Sequence, residues 1–553
     1  MLENIAVISR YYHTLRYLKA RQTFGRSYAG LKRKFRLYKA PEIPENLTRK
    51  LSLKIPFLKH EPWNSRQELL NREFTFLNIK RKFDGQIDWK SPDMPLLWRF
   101  NLHYFNYLHL LEGEEKETLI LDWIRSNPND DSSSAAWHPY PLSLRITNWC
   151  KEELSNKEIL KSLYYQVSYL YRNLETYHPG NHLLENARAL IFGGMFFFGQ
   201  GEAISWLKKG LSIYESELPV QVLTDGGYFE LSTMYHAIML ENFLDVLNLL
   251  EERNISLPGL KEVTMKMGDF LYSMTHPDGS ISLFNDSAEE IAPSSEMILS
   301  YLKCLTGYTP SYKEQFPSSG YFVHRGKSLC LIIDGGAPGP DYLPAHSHAD
   351  IFSYELSAAD EKIITDSGVF EYAEGPMRSY VRSTRAHNTV SVDGLDQAEC
   401  WGSFRLAKRF HPVDVRFSMQ GGKSLFSGSF EGYASLIGDD IRHRRTIETD
   451  EEKGIITVKD TLSGHGRHLA ESFIHVHPSA KIVMQGDTFI VNGKGYAVKI
   501  TPLSGTPAVK EGWYCPGFGR KIKRSVITVK KDALPCELGY RIEVLKSNNN
   551  PKV

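Results

Sequence analysis

The chain has 553 residues, of which 42% are hydrophobic and 24% charged, values typical of a globular protein. Its formal net charge of +1 argues against nucleic acid as a partner. Its six cysteines show no CxxC spacing, so neither a disulfide framework nor a thiolate zinc site is expected. At roughly 150 residues per domain, the length predicts two to four domains.

The first 60 residues are predicted to form a basic N-terminal arm. Between Asn4 and Pro41 this segment has ten basic residues and no acidic one. A solvated arm and a surface that docks on anionic lipid or an acidic polymer are the two interpretations. No signal-peptide cleavage site is apparent, and the longest apolar run, residues 189–199, is shorter than the ~18 residues of a bilayer span. We therefore expect neither a leader nor a membrane span, and a cytoplasmic or envelope-associated location.

Helical periodicity dominates residues 61–315. One segment is SNKEILKSLYYQVSYLYRNLETY, where a capping box at Ser155 and Glu158 precedes apolar residues three or four positions apart. Another is HAIMLENFLDVLNLLEER, in which Leu240, Phe243 and Leu247 share one helical face. These segments predict successive amphipathic helices joined by short loops.

The pattern changes to strands after residue 315. Strand-rich segments include KSLCLIIDGG, HNTVSVDG, KGIITVKDTLSG and DTFIVNGKGYAVKI, and Asn492-Gly493 is a strong hairpin signal. A helical half followed by an all-β half indicates two separate domains, with a boundary near residue 315. The predicted fold class is therefore α+β and multidomain.

Polar residues cluster at two predicted helix starts. In YHPGNHLLENARAL, Asn181, His182 and Glu185 stand where exposed amides and the helix dipole favour an anion. In TDGGYFELSTMYH, Glu230 and Tyr235 would lie about 140° apart on a regular helix, so they share a site only if the helix begins between them. A helix cap, a core histidine and a core tyrosine are the alternative interpretations.

Two histidines two residues apart occur in PAHSHADIFSYEL, which we predict to be a strand. Residues two apart in a strand point to one face, so His346 and His348 would share a side. Asp366 follows in ITDSG. The spacing alone leaves open a metal site, a catalytic base or two ordinary histidines.

Six segments, in register, resemble the heparinase II/III family of polysaccharide lyases and the related alginate lyases. They are WHPYPLSLRITNW, NHLLENARAL, DGGYFELSTMYH, HSHADIFSYEL, ITDSGVFEY and RSTRAHNTVSVDG. The resemblance implies an incomplete α/α toroid over residues 61–315, followed by an antiparallel β-sandwich over residues 316–553. It also implies cleavage of a uronic-acid-containing polysaccharide by β-elimination, giving 4,5-unsaturated uronate ends.

The resemblance carries specific residue roles. Asn181 and His182 are expected to neutralise the uronate carboxylate, because removal of the C5 proton places further negative charge on it. Tyr235 and His346 are expected to be the acid and the base, in an order that the sequence leaves open. His348, Asp366 and His387 match a metal site that is usually zinc, and two imidazoles with one carboxylate suit this ion.

The remaining expectations concern the substrate. Substrate-binding residues are predicted from the acidic, aromatic and arginine side chains of the matching segments: Trp137, Tyr140, Glu185, Glu230, Tyr372, Arg378 and Arg382. The expected partner is an acidic polysaccharide of unspecified type, and the oligomeric state is left open. The alternatives are a carbohydrate-binding or assembly protein of an exopolysaccharide system with little turnover, and a hydrolase using Asp225 and Glu230.

Overall fold

The computed structural model describes residues 2–34, 41–128 and 134–545. Most helices precede residue 310. The α-helices of the described residues are α1 (Leu2–Leu15), α2 (Ala20–Lys34), α3 (Arg66–Leu70), α4 (Leu96–Tyr104), α5 (Gly113–Ser126), α6 (Pro139–Lys151), α7 (Lys157–Arg172), α8 (Asn181–Phe196), α9 (Ala203–Gln221), α10 (Thr233–Glu252), α11 (Leu260–Ser273), α12 (Ser295–Thr306), α13 (Pro376–Val381) and α14 (Gly432–Leu436). Short 3₁₀ helices cover Asn106–Leu110, Ala135–Trp137 and Thr384–Ala386.

Most strands follow residue 314. The strands of the described residues are β1 (Glu73–Phe76), β2 (Ile79–Lys82), β3 (Gln315–Phe316), β4 (Tyr321–Arg325), β5 (Leu329–Asp334), β6 (Tyr354–Ala358), β7 (Glu361–Ile364), β8 (Val390–Val392), β9 (Cys400–Trp401), β10 (Arg405–Leu406), β11 (Val413–Gln420), β12 (Lys423–Phe430), β13 (Arg442–Asp450), β14 (Ile455–Gly466), β15 (Ala470–His475), β16 (Lys481–Gln485), β17 (Thr488–Asn492), β18 (Ala497–Ser504), β19 (Thr506–Gly517), β20 (Arg520–Lys531) and β21 (Leu534–Leu545).

The helices form the incomplete toroid. Successive helices pack as neighbours: α6 contacts α8, α8 contacts α9, and α10 contacts α11 and α12. Their apolar faces make one core, in which α8 and α10 are buried almost all round. A helix buried on every side has no solvent face to present, so the polar residues of α8 and α10 must find partners inside the toroid or at its rim.

The strands form the β-sandwich, and every pairing between strands of its three large sheets is antiparallel. An eight-stranded sheet has the order β11-β12-β13-β14-β21-β18-β17-β16, beside a four-stranded sheet β19-β20-β15-β8 and a five-stranded sheet β3-β4-β5-β6-β7. Side chains from all three sheets share a core. In β13 buried residues alternate with exposed or half-buried ones, as expected for a strand with one face on a core. The fold class is thus a helical toroid followed by a β-sandwich.

Two local expectations were wrong. The helix α7 is capped by Asn156, whose side chain accepts from the amides of Glu158 and Ile159, and not by Ser155. The predicted strand at His346 and His348 is a loop, and β6 begins only at Tyr354. The hairpin at Asn492-Gly493 is confirmed, since β17 and β18 pair antiparallel across it.

The N-terminal arm contains two helices, α1 and α2. Two of its predicted basic residues, Arg36 and Lys39, lie outside the described residues. Within the described part of the chain, no helix combines the length and the apolar character that a membrane crossing requires.

Candidate active site and metal centre

The start of α8 places Asn181 at the junction of the toroid and the β-sandwich. Gly180, the residue before it, has a φ of 115°. A Cβ there would lie 2.6 Å from Glu230 Oε1 and 2.7 Å from Leu343 Cδ2, so only glycine fits. This close approach lets the backbone N–H of Asn181 donate a hydrogen bond to the Glu230 carboxylate. A helix start, a carboxylate and a loop of the β-sandwich therefore meet at one point.

His182, beside Asn181, pairs with a carboxylate that favours its protonated form. Its Nδ1 donates to Glu175 Oε2 (3.2 Å), and its ring stacks on Tyr140 and His178, with centroids 4.2 and 4.3 Å away. Burial alone would lower the pKa of His182, but the Glu175 carboxylate outweighs it and raises that pKa. The side chain of His182 is 23% exposed, so part of this positive group is accessible.

Tyr235 lies in the first turn of α10. The helix begins at Thr233, between Glu230 and Tyr235, so the condition for their sharing a site is met. The Ser232 hydroxyl caps this turn by accepting from the Tyr235 amide (3.3 Å), and it donates to the Asp286 carbonyl (2.8 Å). The cap thus fixes the Tyr235 turn to the loop that carries Asp286.

The hydroxyl of Tyr235 and the ring of His346 are neighbours. Tyr235 Oη is 2.9 Å from Tyr372 Oη, and the Tyr235 and His346 ring centroids are 4.1 Å apart. Burial, together with Tyr372 nearby, raises the pKa of Tyr235 well above its ordinary value. Tyr235 is therefore a neutral hydroxyl throughout the physiological pH range.

Asp286 holds both histidines of the HxH sequence. His346 Nδ1 donates to Asp286 Oδ2 and His348 Nε2 donates to Asp286 Oδ1, both at 3.0 Å. The loops are also joined through their backbones, because the Asp286 amide donates to the His346 carbonyl (3.1 Å). Burial would raise the pKa of Asp286, but the Arg378 guanidinium and both imidazoles hold it well below its ordinary value. A permanent carboxylate therefore orients both rings.

Glu230 has a carboxylate oxygen free for a ligand. Its side chain is buried, and among the described residues no hydrogen-bond donor reaches Oε2. His346 Nε2 is 3.8 Å from this oxygen, too far for a direct hydrogen bond. Burial raises the pKa of Glu230, against the opposing effects of His346, His182 and the Asn181 amide.

A second cluster contains His348, Asp366 and His387. All three are buried, and their ligand atoms lie within 4.8 Å of one another. His387 Nδ1 donates to Asp366 Oδ2 (2.8 Å), and His348 uses Nε2 toward Asp286, so His387 Nε2 and His348 Nδ1 are buried without a partner among the described residues. Burial lowers the pKa of His348 to about 4 and keeps its ring neutral. Two orphaned imidazole nitrogens beside a carboxylate fit a metal ion.

Four residues predicted to contact substrate are instead buried and held by internal partners. Trp137 packs among Trp123, Tyr165 and Tyr169. Glu185 bonds Arg188 and Asn242 inside the toroid. Both arginines are occupied by internal hydrogen bonds, because a buried guanidinium group needs acceptors. Arg378 donates to Asp286 and to the Ser403 carbonyl. Arg382 donates to the carbonyls of Ser347, Gly402 and Arg405. Tyr140 and Tyr372, by contrast, are half-buried beside His182 and Tyr235.

The sequence analysis missed Asp286 and Glu175. They lie in the loop segments LFNDSAEE and NLETYHPG, and neither has a histidine partner at regular spacing. Their contacts with His346 and His182 join residues 60 and 7 positions apart. Such a contact forms only when the chain folds, so the local sequence gives no signal that predicts it.

The pair of His182 and Glu175 should make stability depend on pH. Burial would raise the pKa of Glu175, but His182 lowers it from 4.5 to about 2, while the pKa of His182 is raised from 6.5. The contribution of this pair to the free energy of unfolding is therefore fully present between pH 4.5 and 6.5. It decreases as pH rises through the raised pKa of His182 and as pH falls toward 2.

The measurement is the melting temperature of wild type and Glu175→Gln against pH. Their difference should be largest at about pH 5.5 and shrink as pH rises through the raised pKa of His182. A difference that stays constant as pH rises would show that the pair is not an ion pair.

Comparison with known proteins places these features in a family. The description "Heparinase II/III N-terminus" matches residues 71–315, and "Heparinase II/III-like, C-terminal" matches residues 309–541. A heparin-sulfate lyase of Bacteroides stercoris is 25% identical over 536 residues, which is 82% of this chain and 76% of that protein. The chain belongs to the heparinase II/III family, and it is a polysaccharide lyase.

Solved structures share the whole fold. The heparan sulfate lyase of Pedobacter heparinus has 18% identity and a TM-score of 0.60, with 95% of this chain and 89% of that chain covered. A crystal structure of heparinase III has 17% identity and a TM-score of 0.65, with 94% and 89% covered. The toroid and sandwich are therefore one architecture found in these lyases.

Proposed function

We propose that this lyase cleaves a uronate-containing glycosaminoglycan of the heparan sulfate type, and that Asn181, His182, Tyr235 and His346 perform the elimination. The observation that carries the proposal is the convergence of an amide, a cationic imidazole, a neutral phenol and an oriented imidazole around Glu230. The substrate class is supported by the relatives, which are heparin-sulfate lyases. Access is supported by the half-buried state of Tyr140, His182 and Tyr372.

The first requirement is neutralisation of the uronate carboxylate. Its negative charge opposes loss of the neighbouring C5 proton, and the enolate that forms carries still more charge. The cationic His182 and the Asn181 side chain, at the positive end of the α8 dipole, supply charge and hydrogen bonds where that charge develops. Glu175 favours the protonated form of His182 by raising its pKa.

The second requirement is a base and an acid. His346 donates Nδ1–H to Asp286, so its Nε2 lone pair is free to take the C5 proton. The C5–H electron pair forms the C4=C5 double bond, the C4–O4 bond breaks, and O4 takes the Tyr235 phenolic proton. Tyr235 suits the acid role because its raised pKa keeps it protonated. Glu230 Oε2, without a partner in the described residues, is placed to accept from a sugar hydroxyl.

Incubation with a panel of acidic polysaccharides tests the proposal. Heparan sulfate should give the ultraviolet absorbance of a 4,5-unsaturated uronate. New reducing ends without that absorbance would indicate a hydrolase, and retention of the polymer without either would indicate a binding protein. The hydrolase alternative has little structural support, because Asp225 is held by the Ser319 amide and hydroxyl, both at 2.8 Å.

The metal cluster is proposed to hold zinc. His348, Asp366 and His387 would be its ligands, and a bound zinc would stabilise the three chain segments that carry these ligands. This chain's residues already prepare the site, because Asp286 fixes the His348 ring and Asp366 fixes the His387 ring.

Replacing Asp366 by Asn should remove the metal. We expect zinc to fall from about one per chain to less than roughly a tenth of that, and the melting temperature to stop responding to a chelator. Asp460→Asn is the matched control, because Asp460 is a buried carboxylate of the same sandwich paired with Arg445 and His443. Wild-type protein without zinc, or equal zinc in both variants, would contradict the assignment.

A further inference from the structure

The N-terminal helices α1 and α2 each have one face fixed to the rest of the protein. On α1, Arg10 Nε donates to Glu399 Oε1 (2.7 Å), and Thr14 Oγ1 accepts from Trp401 Nε1 (3.1 Å). The carbonyl of His13 accepts from Arg409 (3.3 Å). All of these partners belong to the segment of residues 399–409 around β9 and β10, which follows α13.

The second helix is attached near the catalytic loops. Gln22 Nε2 donates to the Tyr342 carbonyl (2.9 Å), and a Cβ at Gly25 would lie 2.8 Å from Tyr177 Cβ. Tyr342 precedes Leu343, which touches the Gly180 turn, and Tyr177 is four residues before Asn181. The face of α2 that carries Gln22 and Gly25 thus lies against the rim of the active site.

The outer faces of α1 and α2, opposite these contacts, are apolar and exposed. At 100° per residue, Ile8, Tyr12 and Leu15 fall within about 60° of one another, on the side of α1 opposite Arg10 and Thr14. Phe24, Tyr28 and Leu31 repeat this spacing on α2. These side chains are 54–78% exposed, and eight of the 24 exposed large hydrophobic residues in the described chain lie between Val7 and Leu31. A patch of this kind marks an interaction surface.

The charge of the segment identifies the occupant. Ten basic residues and no acidic one lie between Asn4 and Pro41, and two of the ten, Arg10 and Arg21, pair with Glu399 and Glu217. A second copy of the chain would bring the same positive charge against this face. An acidic polysaccharide offers no apolar surface on which the exposed aliphatic side chains could be buried. An anionic lipid surface offers negative headgroups for the basic residues and an apolar boundary for the phenylalanine, tyrosines and aliphatic residues.

We propose that the outer faces of α1 and α2 bind an anionic phospholipid surface and hold the rim of the active site close to that membrane. The inner contacts attach α1 to Glu399 and α2 to the loops of Tyr177 and Tyr342. The proposal is independent of the reaction, because no catalytic residue belongs to the outer face.

Vesicle sedimentation of the full chain tests it. Wild type should sediment with phosphatidylcholine vesicles that contain phosphatidylglycerol and much less with phosphatidylcholine alone, and binding should weaken as salt rises. The triple variant Phe24→Ser, Tyr28→Ser, Leu31→Ser should bind roughly tenfold more weakly or less, at an unchanged melting temperature. The matched control is Leu425→Ser, Val483→Ser, Met484→Ser, which removes three exposed apolar side chains from the β-sandwich and should bind as wild type.

Three results would overturn the proposal. One is a wild type that does not bind the anionic vesicles at low salt. Another is a triple variant that binds them as well as wild type does. The third is a wild-type dimer that the triple variant converts to monomer, without any vesicle binding, since the face would then be an interface between copies of the chain. If the triple variant is unfolded, the pair Ile8→Ser, Tyr12→Ser on α1 replaces it.

Discussion

Replacing Tyr235 by Phe is expected to lower kcat by roughly 10² or more, while the melting temperature stays near that of wild type. The change removes one hydroxyl and keeps the ring that packs on His346. Without the phenolic proton, O4 must leave as an alkoxide. The lost hydrogen bond to Tyr372 should cost only about 1 kcal/mol of unfolding free energy.

Tyr354→Phe is the matched control for this experiment. The Tyr354 hydroxyl is buried and lies 3.0 Å from the Tyr540 hydroxyl in the sandwich core, just as Tyr235 pairs with Tyr372. It should lose similar stability and keep its kcat. Full eliminase activity of Tyr235→Phe would show that Tyr235 only packs against His346 and that the acid must be another group.

Replacing Asn181 by Ala should reduce kcat by roughly 10²–10³, with a smaller effect on KM. The reason is that the hydrogen bond to the uronate carboxylate strengthens as the enolate forms, so its loss is felt mostly in the transition state. The kinetic constants on the best substrate of the panel are the measurement. A change confined to KM would mean that Asn181 binds ground state and transition state equally.

Asn181→Asp sharpens the test. It keeps the size of the side chain and the start of α8 but presents a negative charge to the substrate carboxylate. We expect a loss at least as large as that of Asn181→Ala. An Asn181→Asp variant as active as wild type would exclude the donor role, whatever the alanine variant shows.

Local spacing was informative wherever neighbours in sequence control the structure. The helix that became α10 could be placed from its apolar residues, and the requirement that it begin between Glu230 and Tyr235 is met because Ser232 caps it. The hairpin at Asn492-Gly493 followed from turn chemistry in the same way. Motif resemblance, in turn, supplied the toroid, the sandwich and the family.

Sequence spacing did not predict the contacts between segments that lie far apart in the chain. His346 and His348 were expected to share a face because they were placed in a strand. They share a partner because the one loop that carries them packs against Asp286. Arg378 and Arg382 were predicted to bind substrate because forked guanidinium groups suit carboxylate groups. The tertiary structure buries Arg378, and a buried guanidinium must then be neutralised by Asp286, which lies 92 residues earlier.

The amino-acid sequence thus determines the helical and strand halves, the motif residues and the basic character of the N-terminal arm, since each depends on residues a few positions apart. The arrangement of the site depends on contacts that no spacing encodes: Glu175 with His182, Asp286 with His346, and helix α2 with the loops of Tyr177 and Tyr342. The physical reason is burial. A buried charge or ring nitrogen takes whichever partner the folded chain brings within reach, and that partner is fixed only when the toroid and the sandwich pack together.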